Sequence, residues 1–267
     1  MPEAMAQLRT VLAVLAERPA GLLTDVDGTI SRIASRPGAA SVSPVCRDCL
    51  AALSRRLRLV AAVSGRPAAE ARQLVGLPGL AYVGNHGFET WRRGRVTMLP
   101  EAEPFVPIVR AALRELAKGP GNLPGVICEN KGATASVHYR LAPDPQAARQ
   151  AILSALAQSS AAGQLRCTEG RMVVELRPPL PVDKGTAVGV LLREHALRAA
   201  VYLGDDATDV DAFRALHAWA EETGGRALAV AVLTSETPVE LVESADLSLP
   251  GVTAVERLLQ GLVQALG

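Results

Sequence analysis

The sequence predicts an α/β protein: a doubly wound, Rossmann-like parallel sheet with a smaller α+β domain inserted into it. Three observations carry that expectation. Short apolar runs alternate with amphipathic stretches, the pattern of parallel strands joined by crossover helices. Acidic and hydroxylic residues follow the ends of those runs, where open α/β sheets bind ligands. From about Pro104 to Pro181 the pattern changes, with prolines at Pro100, Pro104 and Pro107 marking one junction and Pro178-Pro179-Leu180-Pro181 the other.

In chain order, an amphipathic helix is expected over 3–17 and core strands over 20–25, 58–63 and 80–84. Amphipathic helices fill 45–57 and begin near Ala68. The insert reads as helix 105–118, a Gly/Pro-rich connection 119–125, and strands 126–129 and 133–139. Helix 144–159 and strands 164–168 and 171–176 complete it. Core elements then resume with helix 186–195, strand 199–203, helix 210–220 and strand 227–233. The expected division is core over 1–103, a small α+β cap domain over 104–181, and core again over 182–267.

The 267 residues are 49% hydrophobic, enough for a full core, but only 3% aromatic, so Leu, Val and Ala must build it. A net charge of +1 and a pI of 7.7 argue against nucleic-acid or membrane-surface binding as the main task. Arg193-Glu194-His195 interrupts the longest apolar candidate for a membrane span. The first residues carry Glu3 and Arg9 and lack a signal-peptide core, so a cytoplasmic protein is expected, acting as a monomer. Cys46-x-x-Cys49 has redox or zinc half-site spacing, yet no second pair accompanies it. These two thiols, with Cys128 and Cys167 in apolar strand patterns, read as structural.

The chemistry concentrates at strand ends. The apolar run Gly21-Leu22-Leu23-Thr24 leads into Asp25-Val26-Asp27-Gly28-Thr29. Alternate strand residues share a face, so Asp25 and Asp27 project together, about 7 Å apart. Two such carboxylates repel, and a hard divalent cation such as Mg²⁺ relieves the repulsion while leaving positions for phosphate oxygens. An Asp-Gly turn after a core strand is the plainer alternative. A second acidic cluster, Gly204-Asp205-Asp206-Ala207-Thr208-Asp209, follows the run Ala199-Ala200-Val201-Tyr202-Leu203. Helix capping needs one acidic residue, and three sit here. The crowding makes sense if Asp205 ligates a cation while Asp206 and Asp209 hold its waters or fix the loop.

Two further signals suit a phosphate. Ser64-Gly65-Arg66-Pro67 ends a strand before a helix start, where amides favour anions and Ser64 can donate to a phosphoryl oxygen. Lysine occurs only at Lys118, Lys131 and Lys184, with arginine supplying every other basic position. Codon bias explains the preference but not which positions escape it. A compact ammonium is not replaced by guanidinium, which singles out Lys131 and Lys184.

Asp-x-Asp-Gly-Thr, Ser64, Lys184 and Gly-Asp-Asp-x-Thr-Asp, in that order, resemble the haloacid dehalogenase superfamily of phosphotransferases across nearly the whole chain. Within it the chain is similar to the trehalose-6-phosphate phosphatases. That likeness rests on Gly84-Asn85-His86-Gly87-Phe88-Glu89, Glu129-Asn130-Lys131, His138-Tyr139-Arg140 and Glu175-Leu176-Arg177-Pro178. Val26 departs from it, since the family often has a bulkier residue there.

The resemblance implies a Mg²⁺-dependent phosphatase acting on trehalose 6-phosphate. Asp25 would be the nucleophile, Asp27 the general acid and base, and Ser64 and Lys184 partners of the phosphoryl charge. The metal would be held by Asp25, the Asp27 carbonyl and Asp205. Glu129, Lys131 and Glu175 would grip the distal glucose; a cross-strand ion pair is the alternative. Arg66, Asn85 and His86 follow core strand ends and are expected beside the substrate, although Asn85 also suits a turn and His86 can merely brace the wall. His138 and Arg140 can simply line a strand face. Another sugar phosphate of sucrose or mannosylglycerate type, a phosphomutase activity, and a catalytically silent regulatory module remain as rival readings.

Overall fold

A computed structural model of the chain describes residues 2–33, 40–92, 94–235 and 237–267. It divides into two compact units, Met1–Thr97 with Val182–Gly267, and Met98–Pro181. The second unit therefore begins earlier than the junction suggested by Pro104. In chain order the elements are α1 (Pro2–Leu15), β1 (Ala20–Thr24), α2 (Pro44–Leu53), β2 (Leu59–Val63), α3 (Ala68–Val75), β3 (Ala81–Gly84), β4 (Glu89–Arg92) and β5 (Arg95–Met98). The second unit holds α4 (Val106–Leu116), β6 (Ile127–Asn130), β7 (Ala135–His138), α5 (Pro145–Ala157), β8 (Arg166–Gly170) and β9 (Val173–Arg177). The chain returns through α6 (Lys184–Glu194), β10 (Ala199–Gly204), α7 (Ala207–Thr223), β11 (Arg226–Val232), α8 (Val239–Glu243), β12 (Leu247–Leu249) and α9 (Val252–Ala265).

The first unit is built on one sheet in the order β12-β11-β10-β1-β2-β3-β4-β5. Every pairing from β12 to β3 is parallel, and β4 turns back antiparallel on β3. β1 lies between β2 and β10, so the strand order reverses on either side of it, and its carboxyl end opens the crevice where such sheets bind ligands. Alternation divides β1 between two cores. Leu22 packs with α1, α2 and α9, while Leu23 faces the opposite layer of α6 and α7. Both are fully buried, each stabilising by roughly 1.5–3 kcal/mol. Aromatics are few but central, with Tyr202 and Phe213 meeting edge-on at 5.9 Å.

The second unit is a four-stranded antiparallel sheet in the order β6-β7-β9-β8. Ala135, Val137, Val174 and Leu176 pack with residues of α4 and α5 in a separate core. The period of two sends Ser136, His138 and Glu175 to the other face. Cys46 and Cys49 are buried in the first unit's core, but Cys128 and Cys167 are exposed residues, because β6 and β8 are the edge strands of this sheet. Among the described residues no helix is long and apolar enough to cross a membrane.

Candidate active site

The chain leaves β1 at Thr24, and the Asp25 amide donates to the Leu203 carbonyl of β10 at 2.8 Å. This bond carries the strand's register one residue past its end and fixes Asp25 beside the exit of β10. Gly28 follows at φ +88°, and a Cβ there would lie 2.0 Å from Asp205 Oδ2. Only glycine permits both that backbone and that approach. Thr29 Oγ1 then donates to Asp205 Oδ1 at 3.2 Å, linking the two acidic loops directly.

Asp205 and Asp206 follow β10, and Asp209 lies in the first turn of α7. Asp206 is the N-cap of α7, its carboxylate accepting from the Ala207 amide at 2.8 Å. Asp209 Oδ2 accepts from the amides of Asp205 and Asp206, each at 3.1 Å, so it folds the loop onto itself. Gly204 makes room for this, since a Cβ would overlap the Asp209 carboxyl carbon at 2.4 Å. Asp209 Oδ1 accepts from Tyr202 Oη and from Lys184 Nζ, both at 2.8 Å.

Lys184 opens α6 behind Asp183, whose side chain and Thr186 form a reciprocal capping box. Its ammonium donates to Asp25 Oδ1 at 2.8 Å as well as to Asp209. Lys184 is 2% exposed and Asp25 4%, so this pairing is desolvated and strong compared with a surface pair. Burial opposes the charge on Lys184, but the Asp209 and Asp25 carboxylates outweigh it and hold the ammonium above its usual range. Burial pushes the Asp25 carboxyl well above the ordinary carboxylate range; Lys184 opposes this, while Asp209 and Asp205 add to it. Burial and then Asp209 likewise hold the Tyr202 phenol well above its usual range, so it stays a donor.

Two buried carboxylates thus share one ammonium and Asp205 adds a third beside them, with oxygens of Asp25, Asp205 and Asp209 within 4.8 Å of one another. Excess negative charge in a buried place is costly unless compensated. Each Asp209 oxygen already accepts two hydrogen bonds, which makes Asp209 a brace of the loop, while Asp25 and Asp205 are side chains that could hold a cation. An oxygen-only anionic donor set of this kind fits a hard divalent cation.

Ser64, at the end of β2, is buried, and its amide donates to the Val83 carbonyl. Its Oγ accepts from the Arg66 amide at 3.1 Å, which leaves the hydroxyl proton available to an acceptor. Arg66 directs its guanidinium onto Asp27, Nε to Oδ2 at 2.6 Å and Nη2 to Oδ1 at 2.8 Å. The loop after β3 is sewn to this segment: the Asn85 amide donates to the Arg66 carbonyl and the His86 amide to that of Ser64. Asn85 and His86 are buried with φ of +49° and +56°, a strained pair held in place by those bonds. Glu89 accepts from the Ala68 amide at the start of α3.

Thr29 and Tyr202 join the acidic cluster through hydrogen bonds that no local sequence pattern announces. Thr29 was part of the first acidic motif, and Tyr202 was the one polar side chain within its strand run.

In the second unit, strand register lines up Glu129, Ser136 and Glu175 across β6, β7 and β9. Lys131 Nζ lies between the two carboxylates, 3.8 Å from Glu129 Oε2 and 3.9 Å from Glu175 Oε1. Ser136 Oγ donates to Glu175 Oε1 at 2.8 Å, and His138 Nε2 lies 3.1 Å from Glu129 Oε2. Glu175 Oε2 is buried and meets no hydrogen-bond donor among the described residues. Arg140 instead donates to the Arg171 carbonyl.

Residues 23–247 match the model of the trehalose-phosphatase family. The trehalose-phosphate phosphatase of Mycobacterium tuberculosis is 38% identical over 220 residues, covering 80% of this chain and 55% of that protein. The chain thus spans about half the length of the curated relatives it matches. By structure, the C-terminal domain of the Candida albicans trehalose-6-phosphate phosphatase superposes with a TM-score of 0.78 at 23% identity, covering 97% of each chain. A haloacid dehalogenase-like hydrolase from Bacteroides thetaiotaomicron gives 0.61 at 15% identity, covering 92% of this chain and 98% of that one. These two likenesses establish a haloacid dehalogenase-like fold. Joined with the match along most of the sequence, they carry the conclusion that the chain belongs to the trehalose-phosphatase family.

Proposed function

We propose that the chain hydrolyses trehalose 6-phosphate to trehalose and phosphate through an aspartyl-phosphate intermediate. The observation that carries this reading is the buried Asp25–Lys184–Asp209 arrangement beside Asp205 at the carboxyl ends of β1 and β10. An Asp25 oxygen attacks phosphorus, and the bond from phosphorus to the sugar oxygen breaks with its electron pair going to that oxygen. Asp27 supplies the proton the departing oxygen needs. Asp27 then takes a proton from water, the water oxygen bonds to phosphorus, and the bond to Asp25 breaks to regenerate the carboxylate. Ser64 donates to a phosphoryl oxygen and Lys184 offsets the developing charge, so the protein's work is mainly positioning and electrostatics. Mg²⁺ bound by Asp25, the Asp27 carbonyl and Asp205, with Asp206 and Asp209 supporting the loop, would neutralise the nonbridging oxygens.

Sugar selectivity is assigned to Glu129, Lys131 and Glu175 of the second unit, acting as a cap domain. Glu175 Oε2, which meets no donor among the described residues, supports this, because a sugar hydroxyl can supply one. Asn85 and His86 are assigned to the rim of the phosphate site, and the enzyme is taken as a cytoplasmic monomer. A sucrose-phosphate or mannosylglycerate-type substrate would use the same core residues. Asp25→Asn keeps the side chain's shape while removing the nucleophile. Assayed with Mg²⁺ over a panel of sugar phosphates, the native chain should favour trehalose 6-phosphate and the variant should release no phosphate. Near-native turnover by the variant would refute the nucleophile assignment.

A further inference from the structure

The pairing of Arg66 with Asp27 points away from a role for Arg66 in gripping substrate. Its fork meets the carboxylate in a two-bond contact, with one nitrogen to each oxygen, at 2.6 and 2.8 Å. Such a planar match fixes the orientation of a carboxylate as well as its position, which a single ammonium cannot do. The arginine is itself anchored. Its amide donates to Ser64 Oγ, and its carbonyl accepts from the Asn85 amide. Asp27, by contrast, follows the end of β1 in a turn that reverses at Gly28, and its side chain is 34% exposed against 17% for Arg66. The less constrained carboxylate therefore takes its pose from the more constrained arginine. A part-exposed ion pair contributes little to stability, so the selective value of this one lies in geometry.

We propose that Arg66 is a positioning residue: it holds the Asp27 carboxylate in the orientation from which that group exchanges protons with the leaving oxygen and the attacking water. This rests on the phosphatase reading above. It also connects the phosphate loop to the acid/base group, because the same segment presents Ser64 Oγ.

A substrate with an activated leaving group separates the two half-reactions. p-Nitrophenolate departs without a proton, so phosphorylation of Asp25 from p-nitrophenyl phosphate does not need Asp27, whereas hydrolysis of the aspartyl phosphate does. Arg66→Ala should lower steady-state kcat about 10- to 100-fold on both p-nitrophenyl phosphate and trehalose 6-phosphate, the scale on which misplaced groups lose rate. Stopped-flow should still show a rapid burst of about one nitrophenolate per enzyme, with no rise in KM. Arg66→Lys, which keeps the charge and loses the fork, should resemble the alanine variant. In an Asp27→Asn background, Arg66→Ala should add less than a twofold further loss, because a residue acting through Asp27 has nothing left to orient. A slowed or absent burst, a KM raised equally for both substrates, or losses that multiply in the double variant would overturn the proposal and return Arg66 to phosphate binding. A native chain that releases phosphate from neither substrate would overturn the phosphatase reading together with this one.

Discussion

At Gly28 two constraints meet, a left-handed backbone and the Asp205 carboxylate pressed against the missing side chain. Gly28→Ala adds strain of about 1–3 kcal/mol from the positive φ alone. The methyl group must also displace Asp205, which Thr29 tethers from the same loop. The expected result is a modest fall in the denaturation midpoint and a much larger rise in the Mg²⁺ concentration needed for half-maximal phosphate release. An alanine variant with native Mg²⁺ dependence would show that Asp205 is not the ligand. Asp25, Lys184 and Asp205 were legible in the sequence because each sits at a strand end or helix start, where local pattern fixes direction. The partner of Asp27 was not. Arg66 lies 39 positions away, and only the register of β1 against β2 brings the two together. Of the two roles expected for Asp209, holding a cation's waters or fixing the loop, four hydrogen bonds carry the second: it is the brace of the loop and the anchor of Lys184.

At the level of elements, the central strands were legible because strands buried on both faces read as unbroken apolar runs. β1 and β2 show this, every residue in each being buried. β4, β5 and β12 are not legible because short strands at or near a sheet edge lack such runs; β5, for example, is exposed over three of its four residues. The helix 45–57 also ends early, at Leu53, where Ser54 takes up the terminal carbonyls. That helix carries a testable electrostatic consequence. Burial pushes the Cys46 thiol up to about 12 from an ordinary value of 9.0, the Ser43 hydroxyl opposing. Well below pH 9 the thiol is neutral in both folded and unfolded chains and contributes no pH dependence. Between about 9 and 12 the unfolded chain loses the proton while the folded chain keeps it, so stability falls as pH rises, by at most about 1.4 kcal/mol per pH unit. Cys46→Ala is expected to be less stable at pH 8 because of the cavity, yet to lose less between pH 8 and 10.5. Urea midpoints of both proteins at the two pH values test this, and parallel slopes would mean that the thiol titrates normally.

Over the whole molecule, the proposed chemistry and the proposed selectivity are assigned to different units, each with its own core. The first unit offers carboxylates, a buried ammonium and strand-end loops, all suited to a phosphoryl group. The second offers a polar sheet face on which Lys131 sits between Glu129 and Glu175, with one Glu175 oxygen meeting no hydrogen-bond donor among the described residues. If this face serves only to recognise a sugar, damage to it must discriminate between substrates that have the sugar and those that lack it. Glu129→Ala or Lys131→Ala should raise KM for trehalose 6-phosphate at least about tenfold, the loss expected when a buried polar group loses a charged partner. The same variants should leave kcat/KM for p-nitrophenyl phosphate within about twofold, since that substrate presents no hydroxyls for the sheet to bind. Ser136→Ala should act in the same direction but more weakly, because it orients Glu175 and leaves the carboxylate in place. Equal losses on both substrates would show that the second unit acts through folding or through the phosphoryl chemistry, and the division of labour would fall. Retained KM for trehalose 6-phosphate in both variants would make the row of Glu129, Lys131 and Glu175 a cross-strand ion pair of the sheet and nothing more.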